Sequence, residues 1–123
     1  MPLDISESRT PAGNKLLLVQ ANGVVTGAQA QVLVDDVATS GPHAGWPIFC
    51  KIAKGTEYTP EARKTMTAGG SYPCCAILVT SAVLKTLVNF MMRVTGSDPR
   101  ARMFATEAEA LAWVDQVLQR GKP

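Results

Sequence analysis

Histidine and cysteine, on which many catalytic and metal sites depend, are scarce in this sequence. Its 123 residues include one histidine, His43, and three cysteines, Cys50, Cys74 and Cys75. The odd number of cysteines and the absence of a CxxC spacing exclude a disulfide scaffold and a zinc motif. A disulfide between Cys74 and Cys75 would be strained, because neighbouring strand residues point to opposite faces. We therefore expect buried, reduced thiols and no metal site.

Partners for a catalytic nucleophile are missing as well. Nucleophilic catalysis needs a serine or cysteine beside a base and an orienting acid. His43 lies in a predicted loop, residues 41–46, and no neighbouring pattern makes it a base or a ligand. The sequence has neither a GxSxG motif nor a glycine-rich phosphate fingerprint. We expect His43 to be solvated or hydrogen-bonded, and we expect a protein that is not an enzyme and uses no cofactor.

Long apolar runs and a strong net charge are also lacking. No run approaches the roughly 20 apolar residues of a membrane-spanning helix, and the first residues have neither the basic nor the apolar region of a signal peptide. We therefore expect a cytoplasmic protein. The net charge of +2 does not indicate nucleic-acid binding. Residues 51–106 carry eight basic and three acidic side chains, a difference of +5, which favours either a solvated face or contact with an anionic partner.

The chain is short enough for one domain, and we predict a single domain over residues 1–123. Short apolar runs alternate along it with helical patterns. A weak strand at the N-terminus is predicted to pair back on the next strand through a turn at residues 11–14. The predicted strands are residues 3–9, 16–20, 47–53, 74–80 and 101–105.

Four helices are predicted from their starting signals. Thr26 with Gln29 and Thr106 with Glu109 have capping-box spacing. Thr59 precedes a proline and a glutamate, which favour a helix start. A further helix covers residues 81–95. The alternating order predicts an α/β fold with a mixed, mainly parallel five-stranded sheet, an N-terminal antiparallel hairpin and four helices.

Several strings in this layout are shared with a known family. They are Gly23–Thr26, Thr59–Arg63, Ala76–Leu84, Leu87–Met91 and Arg102–Trp113. The chain resembles the STAS superfamily, typified by the anti-anti-sigma factor SpoIIAA, and more closely the small bacterial proteins described as SpoIIAA-like or STAS/SEC14-like. The resemblance covers about residues 15–118. It implies a regulatory protein that acts through protein–protein contact, and its SEC14-like side implies, as the alternative, a carrier of a small apolar or anionic, lipid-like ligand.

The resemblance also implies a switch residue. Anti-anti-sigma factors are phosphorylated on a serine at the start of the second helix, usually after an aspartate. Thr59 lies nearest that position in this chain. The chain departs from the pattern, because it has a threonine in place of the serine and Glu57-Tyr58 in place of the aspartate.

A ligand or partner site is predicted at the carboxyl edge of the sheet, where parallel strands bind ligands. Helix starts at Thr59, Ser81 and Thr106 point free amides at this edge, which favours an anion. Lys54 and Thr56 lie on its longest loop, and Arg63 follows on the second helix. The alternative is that these hydroxyls only cap their own helices.

The predicted helix over residues 81–95 has an unusually wide apolar face. At 100° per residue its apolar side chains cover about 200°, whereas packing on a sheet needs somewhat over about 100°. We interpret the surplus as a homodimer face, a partner groove or the wall of an apolar pocket, unless neighbouring helices cover it. The residues concerned are Leu84, Val88, Phe90, Met91 and Met92.

Four other residues with functional potential are expected to be structural. Trp46 and Trp113 are predicted to be core or rim aromatics rather than stacking platforms. Asp35 and Asp36 lie on the polar side of the first helix and follow no strand. We expect both carboxylates to be solvated.

Overall fold

A computed structural model defines the fold. It describes residues 3–38, 40–66, 72–79, 81–82, 85–86, 89 and 100–120. No helix within these ranges has the length and apolarity needed to cross a membrane.

Five strands form the main sheet. Strand β1 (Leu3–Arg9) pairs antiparallel with β2 (Lys15–Ala21), and β4 (Ile48–Ile52), β6 (Cys75–Val79) and β7 (Ala101–Phe104) follow in parallel. The order across the sheet is β1-β2-β4-β6-β7. The predicted five-stranded, mainly parallel sheet with its N-terminal hairpin is confirmed.

A second, smaller sheet was not predicted. Strands β3 (Val24–Val25) and β5 (Glu57–Tyr58) pair in parallel, each directly before a helix start. We predicted both segments as loops, because two-residue strands are too short to show alternation of apolar and polar residues.

Three helices have defined bounds: α1 (Gly27–Asp36), α2 (Pro60–Met66) and α3 (Glu107–Arg120). The described part of the chain thus contains three complete helices and not the four predicted. The missing one was assigned to residues 81–95, of which residues 83–84, 87–88 and 90–95 lie outside the described residues. The Lys85 amide donates to the Ser81 carbonyl at 2.9 Å, which is the spacing of a helical turn.

Threonines begin all three helices as predicted. The Thr26 side chain accepts from the Gln29 amide at 3.4 Å, and the Gln29 side chain accepts from the Thr26 amide at 3.2 Å, which completes the capping box. Thr59 accepts from the Ala62 amide at 3.1 Å. Thr106 accepts from the Glu109 amide at 3.3 Å, and its hydroxyl donates to the Glu109 carboxylate.

Helix α1 ends at Asp36, several residues before the predicted loop at residues 41–46. The chain turns back on the end of the helix, and the His43 amide donates to the Asp36 carbonyl at 3.0 Å. A Cβ atom at Gly41 would overlap the carbonyl oxygens of Asp35 and Asp36. Only glycine therefore permits this close return of the loop.

The core has one layer on each face of the main sheet. Helices α1 and α2 cover one face, where Leu17, Val19 and Cys50 are buried. Helix α3 covers the other through Ala110 and Val114, which belong to a cluster with Leu16, Phe49, Cys74 and Ala76. Burial on both faces explains why the central strands are almost continuously apolar.

The cysteines and tryptophans have structural positions. None of the three cysteines is part of a disulfide in the described residues, and Cys50 and Cys74 are buried whereas Cys75 is half-buried. Burial raises the pKa of Cys50 to about 12 and that of Cys74 to about 11, so both remain protonated at neutral pH. Trp46 and Trp113 are half-buried beside the two core layers, as predicted.

Candidate functional site

Two similar strand–threonine–helix units lie side by side at the carboxyl edge. In the small sheet Val24 is opposite Glu57 and Val25 is opposite Tyr58. The Thr59 amide donates to the Val25 carbonyl at 3.0 Å. Thr26 and Thr59, each the next residue after its strand, therefore begin two neighbouring helices. We call residues 24–32 and 54–64 the helix-start surface.

Close contact between the two helices depends on Gly27. A Cβ atom at this position would lie 2.9 Å from the Glu61 Cβ atom, closer than real Cβ contacts. Ala62 beneath it has no solvent exposure. The small residues at this contact allow the helices to approach, so the first turns of α1 and α2 share one surface.

The predicted residues of this surface have mostly structural contacts. The buried Thr56 hydroxyl is 2.6 Å from the Ala53 carbonyl and 3.1 Å from the Ala21 carbonyl, which ties the loop to the end of β2. Half-buried Thr59 caps α2. Lys54 is exposed beside them, and Arg63 is half-buried on α2. The Thr59 hydroxyl thus caps its own helix, whereas the Thr56 hydroxyl donates to backbone carbonyls and caps no helix.

The other predicted site residues are only partly described. Ser81 is half-buried beyond the end of β6, and its carbonyl accepts from Lys85. The side chains of Leu84, Val88, Phe90, Met91 and Met92 lie outside the described residues. Their assignment to a dimer face or pocket wall stays a prediction.

Two valines on the helix-start surface are exposed, and we predicted a role for neither of them. Val24 is 48% exposed and Val32 is 62% exposed. The other large apolar side chains in the described part of the chain are less exposed. The helical pattern could have revealed Val32, because it lies off the apolar stripe of α1 that contains Ala30 and Leu33.

Tyr58 contributes a buried hydroxyl beneath this surface. Its oxygen has no hydrogen-bond partner among the described residues. Burial, and secondarily the nearby Cys50 thiol, raise the pKa of Tyr58 well above its ordinary value. The phenol is therefore protonated at neutral pH.

A polar corner forms a second concave site on the opposite face of the main sheet. Asp4 is opposite Gln20 in β2, and Gln20 is opposite Lys51 in β4, so the three side chains form one row. This row lines an open cleft with a volume of about 300 Å³. Its lining residues are Asp4, Gln20, Ala21, Asn22, Lys51, Ile52, Ala53 and Leu78.

Helix α3 leaves this corner open. It packs on β6 and β7, and its Asp115 carboxylate reaches the β1–β2 turn at the other end of the sheet. At the carboxyl end of the strands, Glu107 in the first turn of α3 approaches the row, and its Oε1 atom lies 3.2 Å from Lys51 Nζ. The sequence alone does not show that Asp4, Gln20 and Lys51 lie together, because their alignment depends on the register of three strands.

The described residues contain no group of three or more histidine, cysteine, aspartate or glutamate side chains arranged to hold a metal ion. The helix-start surface and the polar corner contain hydrogen-bonding groups and, in the corner, a lysine–carboxylate pair. They are suited to reversible binding.

Comparison with known proteins agrees with this fold. A crystal structure of an uncharacterized protein of the DUF3478 family from Shewanella loihica PV-4, described as having a SpoIIAA-like fold, is similar to the chain with a TM-score of 0.63. The similarity covers 90% of this chain and 92% of that chain at 14% sequence identity. The expected SpoIIAA-like fold is therefore confirmed. No curated protein matches the sequence. A family model matches residues 16–118, and the chain belongs to that family, described as domain of unknown function DUF7793.

Proposed function

We propose that this chain is a non-enzymatic regulatory protein that binds a protein partner through the helix-start surface. The observation that carries the proposal is the exposure of Val24 and Val32 on this surface, at 48% and 62%. Exposed apolar side chains within a polar surround are typical of interaction sites. The SpoIIAA-like fold supports the same function through the family resemblance.

Charged residues belong to the same surface as the two valines. Lys54, Glu57 and Glu61 are exposed on the helix-start surface. In protein interfaces such rim charges mainly select the partner and accelerate association, whereas the apolar centre supplies most of the affinity. The two valines are therefore the residues to substitute first.

The test compares capture of a partner by the wild type and by a Val24→Ser/Val32→Ser variant. Ala112→Ser is the matched control, because Ala112 is exposed on α3, which covers the other face of the main sheet. We expect the double variant to lose at least about tenfold in affinity, equivalent to about 1.4 kcal/mol, while Ala112→Ser binds like the wild type. Equal binding by all three proteins would contradict the proposal.

The phospho-switch is part of the same proposal. A phosphate on Thr59 would add about 1.5 to 2 negative charges at the start of α2, beside the exposed Glu57 and Glu61. Thr59→Glu should therefore change partner affinity, whereas Thr59→Ser retains the cap and should not. Unchanged binding by Thr59→Glu would remove the switch from the proposal and leave the interface intact.

A second candidate function is binding of a small charged ligand in the polar corner. Asp4 and Lys51 are two strands apart, about 10 Å between their backbones, and have opposite charges. The cleft is therefore complementary to a zwitterion, whose acid group would compete with Glu107 for Lys51. A zwitterion carries both charges, so this candidate differs from the predicted carrier of a small apolar or anionic ligand.

Calorimetry with glycylglycine as probe tests the second candidate. Acetate and ethylamine, with one charge each, are the control compounds. We expect Asp4→Asn and Lys51→Gln to abolish glycylglycine binding, Lys54→Gln to leave it unchanged, and Glu107→Gln to strengthen it by freeing Lys51. Equal binding of acetate, or insensitivity to both substitutions, would contradict a zwitterion site.

We further propose that the protein is a cytoplasmic homodimer. The absence of a disulfide among the described cysteines, two of which are buried, supports a reducing compartment. The dimer is inferred from the wide apolar face predicted for residues 81–95. Native mass spectrometry should show twice the chain mass, and a bare monomer would contradict the dimer.

A further inference from the structure

His43 lies between two carboxylates that belong to different elements. Its Nδ1 atom is 2.7 Å from Asp36 Oδ2 at the end of α1, and its Nε2 atom is 2.9 Å from Glu7 Oε2 on β1. We predicted Asp36 to be solvated, but its side chain is only 15% exposed. The return of the loop toward the end of α1 brings His43 against it.

Both contacts are hydrogen bonds only when the imidazole has two protons. A neutral imidazole has one N–H donor, and an ionised carboxylate has none. The charged ring can therefore donate to Glu7 and Asp36 together, whereas the neutral ring can donate to one of them. The hydrogen bond to Glu7 is the main cause that raises the pKa of His43 above 6.5, with Asp36 contributing and partial burial opposing.

The remaining groups near His43 do not replace either carboxylate. The ring of Trp46, from the same loop, lies edge-on at 4.8 Å from the imidazole. Lys15 at the start of β2 is 5.4 Å from the Trp46 ring. On α1, Asp35 accepts a hydrogen bond from Gln31 at 2.8 Å. Among the residues that the structure describes, the charged groups facing His43 are thus Glu7 and Asp36, with Lys15 beyond Trp46.

The two carboxylates differ in their access to water. Glu7 is 65% exposed and lies on β1, which pairs only with β2 and is an edge of the sheet. Asp36 is more shielded, so water replaces its hydrogen bond less readily. When the ring loses a proton, we expect the bond to Asp36 to persist and the bond to Glu7 to break.

We propose that Glu7, Asp36 and His43 form a pH-sensitive latch that holds the loop at residues 41–46 against edge strand β1 while His43 is protonated. Deprotonation releases Glu7, and with it the contact between loop and strand. Because the folded-state pKa of His43 is raised, the stabilisation is fully present below the ordinary value of 6.5. It is lost as the pH rises through the higher folded-state value.

Proton NMR gives a direct test, because the single histidine yields one imidazole signal to follow. The midpoint of the wild type should lie above 6.5 and should fall toward it in Glu7→Gln, because the neutral amide has no charge to attract the imidazolium and can hydrogen-bond to the neutral ring as well. Glu7 is exposed, so this variant should fold. A Glu7→Gln midpoint equal to that of the wild type would overturn the latch.

Hydrogen exchange tests whether the loop and strand separate. Amides of β1 and of residues 41–46 in the wild type should lose protection as the pH rises through the His43 midpoint. His43→Gln, measured at the same pH values, corrects for the intrinsic pH dependence of exchange. Identical pH profiles for the wild type and His43→Gln would overturn the proposal even if the NMR midpoint is raised.

Fluorescence of Trp46 offers a third readout at the latch itself. In a Trp113→Phe background Trp46 is the only tryptophan. Its emission should change with the same midpoint as the NMR signal, since His43 contacts its ring. An emission that does not titrate would contradict the coupling between latch and loop.

Discussion

At the helix-start surface, neutral threonine hydroxyls bond to backbone groups, whereas at the amino end of the parallel strands charged side chains join segments far apart in sequence. Thr56 and Thr59 represent the first kind of contact. The Asp115 contact with Asn14 and the His43 contact with Glu7 represent the second. The comparison teaches that pH sensitivity should be concentrated at the amino end of the parallel strands, whereas the threonine contacts of the proposed partner surface do not titrate.

The largest effect should come from closing the space at Gly41. Gly41→Ala places a Cβ against the backbone carbonyls of Asp35 and Asp36, which cannot move independently of α1. We expect a loss of about 3 kcal/mol in the free energy of unfolding. Gly27→Ala at the helix-start surface places its Cβ 2.9 Å from the Glu61 Cβ, a smaller overlap that a slight shift of α2 can relieve, and should cost less. Urea unfolding of both variants decides the order, and a larger cost at Gly27 would contradict it.

A smaller effect is expected at Asp115, together with a change in acid sensitivity. Its carboxylate accepts from the Asn14 side chain at 2.9 Å and from the Ala12 amide at 3.2 Å. Burial raises the pKa of Asp115, but hydrogen bonds from Thr10, Asn14 and Ala12 together lower it below 3.8. Asp115→Asn should cost about 1.5 kcal/mol at neutral pH.

The sign of the pH dependence follows from the lowered pKa. The stabilisation by Asp115 is present above 3.8 and is lost as the pH falls through the folded-state value. Urea midpoints of the wild type and Asp115→Asn should therefore converge in acid. A constant difference between them at every pH would show that the carboxylate charge has no part in this contact.

The smallest effect should come from the cap of α2. Thr59→Ala removes the acceptor of the Ala62 amide and should cost about 1 kcal/mol, and Thr59→Ser should restore most of it. Because the hydroxyl does not titrate near neutral pH, the cost should be the same on both sides of the His43 midpoint. A cost that depends on pH in this range would contradict the distinction between the helix-start surface and the amino end of the parallel strands.

Local contacts were predicted well. The Thr26–Gln29 capping box and the Thr59 cap involve residues three apart, and their spacing is visible in the sequence. Alternation of apolar segments with capped helices also indicated the parallel strands and the hairpin. Val32 was missed although the same helical pattern contained the signal.

Contacts between distant residues were not predicted. The row formed by Asp4, Gln20 and Lys51 requires the register of three strands, and a shift of one residue in any strand would move its side chain to the other face. The pairing of His43 with Glu7 requires the hairpin, the end of α1 and the turn at Gly41 together.

The amino-acid sequence by itself determined the five strands of the main sheet, the starts of the three helices and their alternating order, because apolar periodicity and helix capping act over a few neighbouring residues. Only the tertiary structure decided which polar groups meet: the two helix starts, the polar corner and the latch. These sites depend on strand register and on close packing at glycines, which bring together residues separated by tens of positions in the chain.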